Sequence, residues 1–274
     1  MQQSPDTILF IHGLWLTPRS WEHFAERYGS RGYKVLAPGW PGTEGEVEAL
    51  RRDPSLLDGL DLKQVVDHYD RIIRGLDSPP ILIGHSLGGT ITQLLLDRGL
   101  GAAAVGLAPA TVKGIRDLPL STLRASSAVL RNPFRRGKGI PYSKKQFKYG
   151  MANTLDRETS DRLWERYAVP AGSGVLFDVA LANLTRNSPA TVSFRNDARA
   201  PMLFVAFERD HVVPPKPIRH NVERYSESAA ITEFREFPGR PHFPGAPGWE
   251  EVADLALSWA VERAAAPRPV AVAS

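Results

Sequence analysis

Short apolar segments alternate with amphipathic segments over most of this 274-residue chain. Residues 8–11 form a continuous apolar run, which predicts a buried strand. In the segment that follows, Trp21, Phe24, Ala25 and Tyr28 recur at the spacing of one helix face. Apolar strands that alternate with such helices are typical of a mostly parallel sheet covered on both faces. We therefore predict an α/β protein with a mostly parallel, doubly wound sheet.

The same alternation continues along the chain with one interruption. Further strands are predicted at residues 35–37, 81–83, 103–107, 202–207 and 231–237. Helices are predicted at residues 17–29, 61–76, 87–97, 217–225 and 249–263. No internal repeat is present, so the pattern indicates a single sheet and not an array of small units.

The interruption lies between about residues 110 and 199. This stretch contains five prolines, and its apolar residues occur in short helical pieces such as 163–167 and 175–184. It carries 16 Lys and Arg against 7 Asp and Glu, a net charge of +9, whereas the whole chain carries +4. A basic middle segment is therefore inserted into an acidic frame.

These differences divide the chain into three parts. We predict that residues 111–199 form a helical cap inserted into an α/β core made of residues 1–110 and 200–265. The Ala-, Pro- and Val-rich tail at 266–274 is expected to be flexible.

Composition excludes several classes of function. The absence of cysteine excludes disulfides, thiolate catalysis and cysteine-based metal sites. No phosphate-binding glycine loop, H-E-x-x-H or calcium-loop motif occurs, so we expect neither a metal nor another cofactor. No apolar stretch approaches the roughly 18 residues of a membrane span, and the first residues resemble no export signal. We expect a cytoplasmic protein.

The segment Gly84-His85-Ser86-Leu87-Gly88 fits G-x-S-x-G between a predicted strand and a predicted helix. A serine that projects its hydroxyl from such a sharp turn leaves no room for side chains two residues to either side, which explains glycine at 84 and 88. The backbone N–H groups at the start of the helix point toward the place where negative charge develops. On this motif alone, Ser86 is either a nucleophile or part of a glycine-rich corner without chemistry.

A serine nucleophile needs a histidine to accept its proton and a carboxylate to orient that histidine. Asp210 follows the predicted strand at 202–207, and His242 lies in a Gly/Pro-rich loop after the strand at 231–237. Loops at the carboxyl ends of parallel strands lie at one edge of the sheet, where ligands bind. Ser86, Asp210 and His242 are therefore expected at that edge.

The order Ser, Asp, His, the G-x-S-x-G turn and the early His12-Gly13 after a strand resemble the α/β-hydrolase superfamily. The resemblance covers about residues 7–263 apart from the cap, and it implies the α/β-hydrolase fold. The family's first two strands have no counterpart before residue 8, which we interpret as a trimmed edge of the sheet.

The resemblance also implies roles. Ser86 corresponds to the nucleophile, His242 to the general base and then acid, and Asp210 to the carboxylate that orients His242. The backbone N–H groups of Leu14 and Leu87 correspond to the oxyanion hole.

Other residues compete for the same roles. Glu208 and Asp197 compete with Asp210 as the acid. Residues 208–215 resemble the loop that carries the acid in this family, and the resemblance favours Asp210. His211 competes with His242, but a residue adjacent to the acid in the same tight loop is poorly placed to bridge acid and serine. His12 and His85 flank the expected site, and we expect structural roles for both.

Substrate choice resides in the pocket, and here the sequence offers less. Three aromatic residues are candidates for an apolar acyl or alcohol site: Trp15 beside the expected oxyanion loop, Trp40 after the second predicted strand, and Phe243 beside His242. The basic run at 131–138, followed by Lys144, Lys145 and Lys148, is either a solvated face, which we favour, or a surface for an anionic substrate, membrane or carrier.

Together these features predict a serine hydrolase, carboxylesterase-like, that cleaves a carboxylic ester or related acyl bond through an acyl-enzyme. The same triad also serves cofactor-free haloperoxidases or perhydrolases, thioesterases, lactonases and lyases, which stay open as alternatives. A non-catalytic small-ligand receptor or an anion-binding protein on the same fold is the alternative from another class. We expect a small-molecule acyl substrate and no nucleic-acid partner, and the oligomeric state is left open.

Overall fold

The computed structural model describes residues 5–265, and its centre is a parallel sheet of six strands in the order β2-β1-β3-β4-β7-β8. The strands are β1 (Thr7–Ile11), β2 (Lys34–Leu36), β3 (Ile81–His85), β4 (Ala103–Leu107), β7 (Met202–Phe207) and β8 (Thr232–Phe237). A separate antiparallel ribbon joins β5 (Gly139–Ile140) to β6 (Ala171–Gly172). The predicted mostly parallel sheet is confirmed.

Ten α-helices accompany the strands in the described part of the chain. They are α1 (Glu22–Gly29), α2 (Val47–Arg52), α3 (Leu62–Arg74), α4 (Leu87–Asp97), α5 (Leu120–Leu130), α6 (Lys144–Gly150), α7 (Arg157–Tyr167), α8 (Ser173–Ala180), α9 (Pro215–Arg224) and α10 (Trp249–Ala265). The start of α3 illustrates the local signals, because Asp61 accepts from the backbone of Gln64 at 2.7 Å and Gln64 accepts from that of Asp61 at 2.9 Å. None of the helices within residues 5–265 is long and apolar enough to cross a membrane.

Both faces of the sheet are covered, as the apolar character of the strands requires. Successive side chains of a strand point to opposite faces. In β1, Ile8 and Phe10 enter a core shared with α1 and α10, whereas Leu9 and Ile11 enter the larger core shared with α3 and α4. The sheet is therefore doubly wound.

The strand order reverses beside β1, and this reversal positions the site. From β1 the chain first adds β2 on one side, and it then crosses to add β3 and the remaining strands on the other. Ile11 at the end of β1 is in register with Gly84 of β3, so the loops that follow the two strands start side by side. Ligands of open α/β sheets bind at such a reversal, beyond the carboxyl ends of the strands.

The segment between β4 and β7 adds no strand to the main sheet. It contains helices α5 to α8 and the β5–β6 ribbon. It is fastened to the rest by backbone hydrogen bonds from Val169 to Trp15 O (2.9 Å) and from Phe243 to Met151 O (2.9 Å). The predicted cap, residues 111–199, falls within this segment, and the predicted tail, 266–274, lies outside the described residues.

Several elements differ from the sequence prediction. Helices α2, α5 and α6 and the β5–β6 ribbon were not predicted, and α9 begins at Pro215, two residues earlier than expected. Helix α5 carries hydroxyl side chains among its leucines, which breaks the apolar stripe that pattern reading depends on. Helix α2 has only six residues, too few for a periodic signal.

Candidate active site

Ser86 occupies the turn between β3 and α4 with a strained backbone, φ 56° and ψ −121°. A non-glycine residue in this region costs of the order of 1–3 kcal/mol and persists only where the surroundings impose it. The flanking glycines permit the turn. A Cβ at Gly84 would collide with Gly88 O and Thr92 Oγ1, and a Cβ at Gly88 would collide with Ile11 O.

The loop after β1 approaches this turn closely. A Cβ at Gly13 would lie 2.9 Å from the Cβ of Ser86 and 3.0 Å from Nδ1 of His85. Trp15, which follows in the same loop, has φ 65°, so the chain turns sharply just after Leu14. Glycine at 13 is therefore required for the two loops to meet.

Leu14 and Leu87, whose backbone N–H groups were expected to form the oxyanion hole, both line the cavity beside Ser86. Leu87 is the first residue of α4. Within residues 5–265 neither N–H donates to a protein acceptor. Unsatisfied donors at a helix start and in a neighbouring loop are suited to hold a developing oxyanion.

Asp210 and His242 form a buried hydrogen-bonded pair. His242 Nδ1 and Asp210 Oδ2 are 2.6 Å apart, and both side chains are inaccessible to solvent. The other oxygen of Asp210 accepts from the backbone N–H groups of Val212 at 2.7 Å and Val213 at 2.8 Å. Because a carboxylate only accepts, Nδ1 of the imidazole carries the proton and Nε2 presents a lone pair.

The rival acids and the rival histidine are engaged elsewhere. Glu208 accepts from Gly239 N at 2.7 Å, and Asp197 accepts from Ala229 N at 2.7 Å. His211 turns away from the acid, and its Nδ1 donates to Tyr149 O at 3.0 Å. Of the sequence candidates, only Asp210 and His242 are brought together as a carboxylate–imidazole pair.

His85 links the serine turn to the histidine loop. Its Nε2 donates to the main-chain oxygen of His242 at 2.9 Å, and the two rings lie 4.6 Å apart. Nε2 of His242 itself has no hydrogen-bond partner among the described residues, so Ser86 Oγ is not bonded to it in this structure. Such hydrogen bonds are often long before substrate binds.

His12 and His85 are buried and held neutral. Burial lowers the pKa of His12 to about 4, although its hydrogen bond to Gly13 O favours the charged form. Nε2 of His12 accepts from Trp40 N at 3.2 Å, which orients the loop after β2. Burial, with the neighbouring His242 as a smaller contribution, lowers the pKa of His85 well below its usual range. These contacts agree with the structural roles expected for both.

A cavity of about 530 Å³ opens at Ser86. Its wall includes Leu14 and Leu87 and, of the three aromatic residues expected there, Trp15. Trp40 and Phe243 do not line it. Trp40 stacks on His12 with ring centroids 5.0 Å apart, and Phe243 packs against the rings of Phe147 and Tyr167.

Most of the cavity wall comes from residues that sequence reasoning missed. They lie in the loop after β4, on α5 and α8, in the loop after β7 and at the start of α9. They are chiefly apolar, among them Val112, Ile115, Leu123, Leu130, Leu176, Val179, Val212 and Pro217. No sequence motif marks them. The available signal is that the residues of the wall on α5 recur every four positions, as on one helix face.

Part of the basic run is neutralised within the chain. Arg136 pairs with Asp178 at 2.8 Å, and Lys138 pairs with Asp58 at 2.8 Å.

Within residues 5–265 no group of three or more His, Asp or Glu side chains is placed to hold a metal ion.

The sequence matches the model of a known protein family. The sequence model described as "Alpha/beta hydrolase family" matches residues 8–255, which is most of the chain. The chain belongs to the alpha/beta hydrolase family. It is accordingly an enzyme of that family, and the predicted α/β-hydrolase fold is confirmed. A comparison with curated protein sequences found no match.

Solved structures of other alpha/beta hydrolases share the fold. The monoacylglycerol lipase of Paleococcus ferrophilus is 20% identical, with 95% of this chain and 96% of that one covered and a TM-score of 0.64. The pyrethroid hydrolase of Sphingobium faniae JZ-2 is 18% identical, with 93% and 96% covered and a TM-score of 0.65. Polyneuridine aldehyde esterase is 16% identical, with 93% and 99% covered and a TM-score of 0.66. At these identities the likeness is one of fold.

Proposed function

We propose that this alpha/beta hydrolase is a serine hydrolase that cleaves a carboxylic ester or a related acyl bond. The observation that carries the proposal is the buried pair of His242 and Asp210, in which Nδ1 is held by the carboxylate and Nε2 is left as a free acceptor. An imidazole fixed in this tautomer is suited to accept a proton from a serine hydroxyl. The residue tied to its loop, His85, directly precedes Ser86.

In the proposed reaction, Ser86 Oγ attacks the acyl carbon while His242 Nε2 accepts the hydroxyl proton. Asp210 stabilises the imidazolium that forms, and its own charge is balanced by two backbone N–H groups. The N–H groups of Leu14 and Leu87 hold the oxyanion of the tetrahedral intermediate. His242 then gives the proton to the leaving oxygen, and water, activated by the same imidazole, releases the acid from the acyl-enzyme.

The wall and the volume of the cavity indicate which class of substrate can reach Ser86. Its wall is mainly aliphatic, and its volume of about 530 Å³ lies within the usual range for small-molecule sites. The related structures are named as a lipase, an esterase and a hydrolase. Both features favour a small ester with an apolar acyl or alcohol part, and we propose such an ester as the substrate class.

Turnover of a panel of 4-nitrophenyl esters, from acetate to laurate, tests the proposal. We expect hydrolysis of at least one ester by the unaltered protein, and activity at background in Ser86→Ala and His242→Ala. His211→Ala is the matched control, because His211 bonds to Tyr149 O and not to Asp210. Absence of turnover across the panel, or loss of activity in His211→Ala with activity retained in His242→Ala, would overturn it.

A further inference from the structure

Two hydroxyl side chains of α5, Thr122 and Ser126, line the cavity. They are four residues apart, so they share one helix face and lie about 6 Å apart along the axis. Ser126 is only 4% exposed, and the hydroxyl oxygen of Thr122 is buried. Within the described part of the chain, neither hydroxyl has a hydrogen-bond partner in the protein.

This lack of a partner is unusual for hydroxyls on a helix. Serine and threonine in helices commonly bond back to a carbonyl oxygen three or four residues earlier. Ser127, the next residue of α5, does so by donating to Arg124 O at 2.7 Å, and Thr92 of α4 donates to Gly88 O at 2.9 Å. Thr122 and Ser126 instead leave their hydroxyls without a protein partner, on two residues that line the cavity.

Two other polar residues of the cavity wall are already used by the fold. Asp117 accepts from His220 Nδ1 at 2.6 Å. The amide of Asn183 accepts from Gly114 N at 2.8 Å and donates to Ile115 O at 2.6 Å. These bonds hold the loop after β4 in place.

The remaining polar residues of the wall are in contact with solvent. Arg116 is exposed and Thr111 is partly exposed, so water can satisfy both. The α5 hydroxyls lie in a wall that is otherwise chiefly leucine and valine, where Ser126 is 4% exposed and Thr122 is partly exposed with its hydroxyl oxygen buried. An unpaired hydroxyl in such surroundings is unfavourable. A molecule that fills the cavity can pair with Ser126 Oγ directly, and with Thr122 Oγ1 once that side chain rotates about χ1.

We propose that Thr122 and Ser126 form a polar subsite that binds an oxygen of the substrate away from the scissile ester. The preferred substrate is then an ester whose otherwise apolar chain carries a hydroxyl or keto oxygen. Hydroxyl side chains both donate and accept, so they suit either oxygen. The inference rests on the proposed function, since the same cavity ends at Ser86.

The test compares 4-nitrophenyl octanoate with its hydroxy and oxo derivatives, the oxygen being moved along successive carbons. A site that hydrogen-bonds a substrate oxygen discriminates against the analogue without it. We expect the unaltered protein to prefer at least one oxygenated ester by about tenfold or more in kcat/KM. In the double variant Thr122→Val/Ser126→Ala that ratio should fall to about one. Ser127→Ala is the matched control and should keep the ratio, because its hydroxyl bonds within α5.

The two esters of each pair are measured on the same protein sample, so the ratio is independent of how much of a variant is folded. If octanoate is hydrolysed but no oxygenated ester is preferred, or if the preference survives in the double variant, the inference is wrong. If no ester is hydrolysed and a fluorophosphonate leaves Ser86 unlabelled, the proposed function itself fails.

Discussion

The imidazole of His85 donates to the main-chain oxygen of His242 at 2.9 Å, across 157 residues of chain. This hydrogen bond joins the turn that carries Ser86 to the loop that carries the proposed base. The first follows β3 and the second follows β8, which is three strands away in the sheet. His85 is therefore a positioning residue that keeps the proposed base near the serine.

Replacing His85 with leucine removes the donor and keeps an apolar side chain. We expect kcat to fall by about tenfold, because loss of one buried hydrogen bond costs about 1–3 kcal/mol. KM should change little, since His85 does not line the cavity. His85→Gln retains an N–H donor and should recover part of kcat. Steady-state kinetics on folded variants test this, and equal kcat in all three proteins would contradict it.

Replacing Asp210 with asparagine should cost about 10³- to 10⁴-fold in kcat. The amide oxygen can still accept from Val212 and Val213, but the NH₂ group then faces Nδ1 and forces the proton onto Nε2. Glu208→Gln is the matched control, because Gln can still accept from Gly239 N, and its kcat should stay near that of the unaltered protein. Equal losses of kcat in the two variants would contradict the role proposed for Asp210.

Alanine at Gly88 should disrupt the serine turn and destabilise the fold by several kcal/mol, because the added methyl group would meet Ile11 O. Gly29→Ala is the control. A Cβ there meets nothing within 4 Å, and Gly29 ends a helix in which alanine is favoured over glycine by up to about 1 kcal/mol. Denaturant unfolding should therefore separate the two substitutions. Similar stability of both variants would show that the turn is not as tightly packed as the structure has it.

Stability should fall as pH is lowered from about 6.5 towards 4. The pKa of His12 is lowered by burial to about 4 in the folded chain, from an ordinary value of 6.5. Between these values the unfolded state binds a proton that the folded state does not, so acid favours unfolding, by up to about 1.4 kcal/mol per pH unit for one histidine. In His12→Gln the slope of unfolding free energy against pH should be shallower by up to one proton. An unchanged slope would be evidence against a neutral, buried His12.

The sequence predicts those features that short local patterns determine. The strands at 103–107 and 202–207 have the expected bounds, because apolar runs between turn residues are unambiguous. Gly84 and Gly88 were expected to leave room for the serine turn, and the collisions of added Cβ atoms agree with that reason. The doubly wound order follows from the alternation of elements.

What the sequence could not predict depends on contacts between distant residues or on side-chain direction. The bond from His85 to His242 O exists only once the sheet has brought two loops together. Trp40 follows the second strand and was a candidate for the pocket, yet its ring stacks on His12 and does not line the cavity. Helix α5 was missed because Thr122 and Ser126 interrupt its apolar stripe, and these residues border the cavity.

We propose above that Ser86 is a nucleophile activated by His242 and Asp210. Mass-spectrometric mapping of the adduct formed with a fluorophosphonate probe tests this role directly. We predict one adduct per chain, located on Ser86, formed rapidly by the unaltered protein and at least a hundredfold more slowly by His242→Ala. No adduct, an adduct on another serine, or equal labelling rates in the two proteins would contradict it.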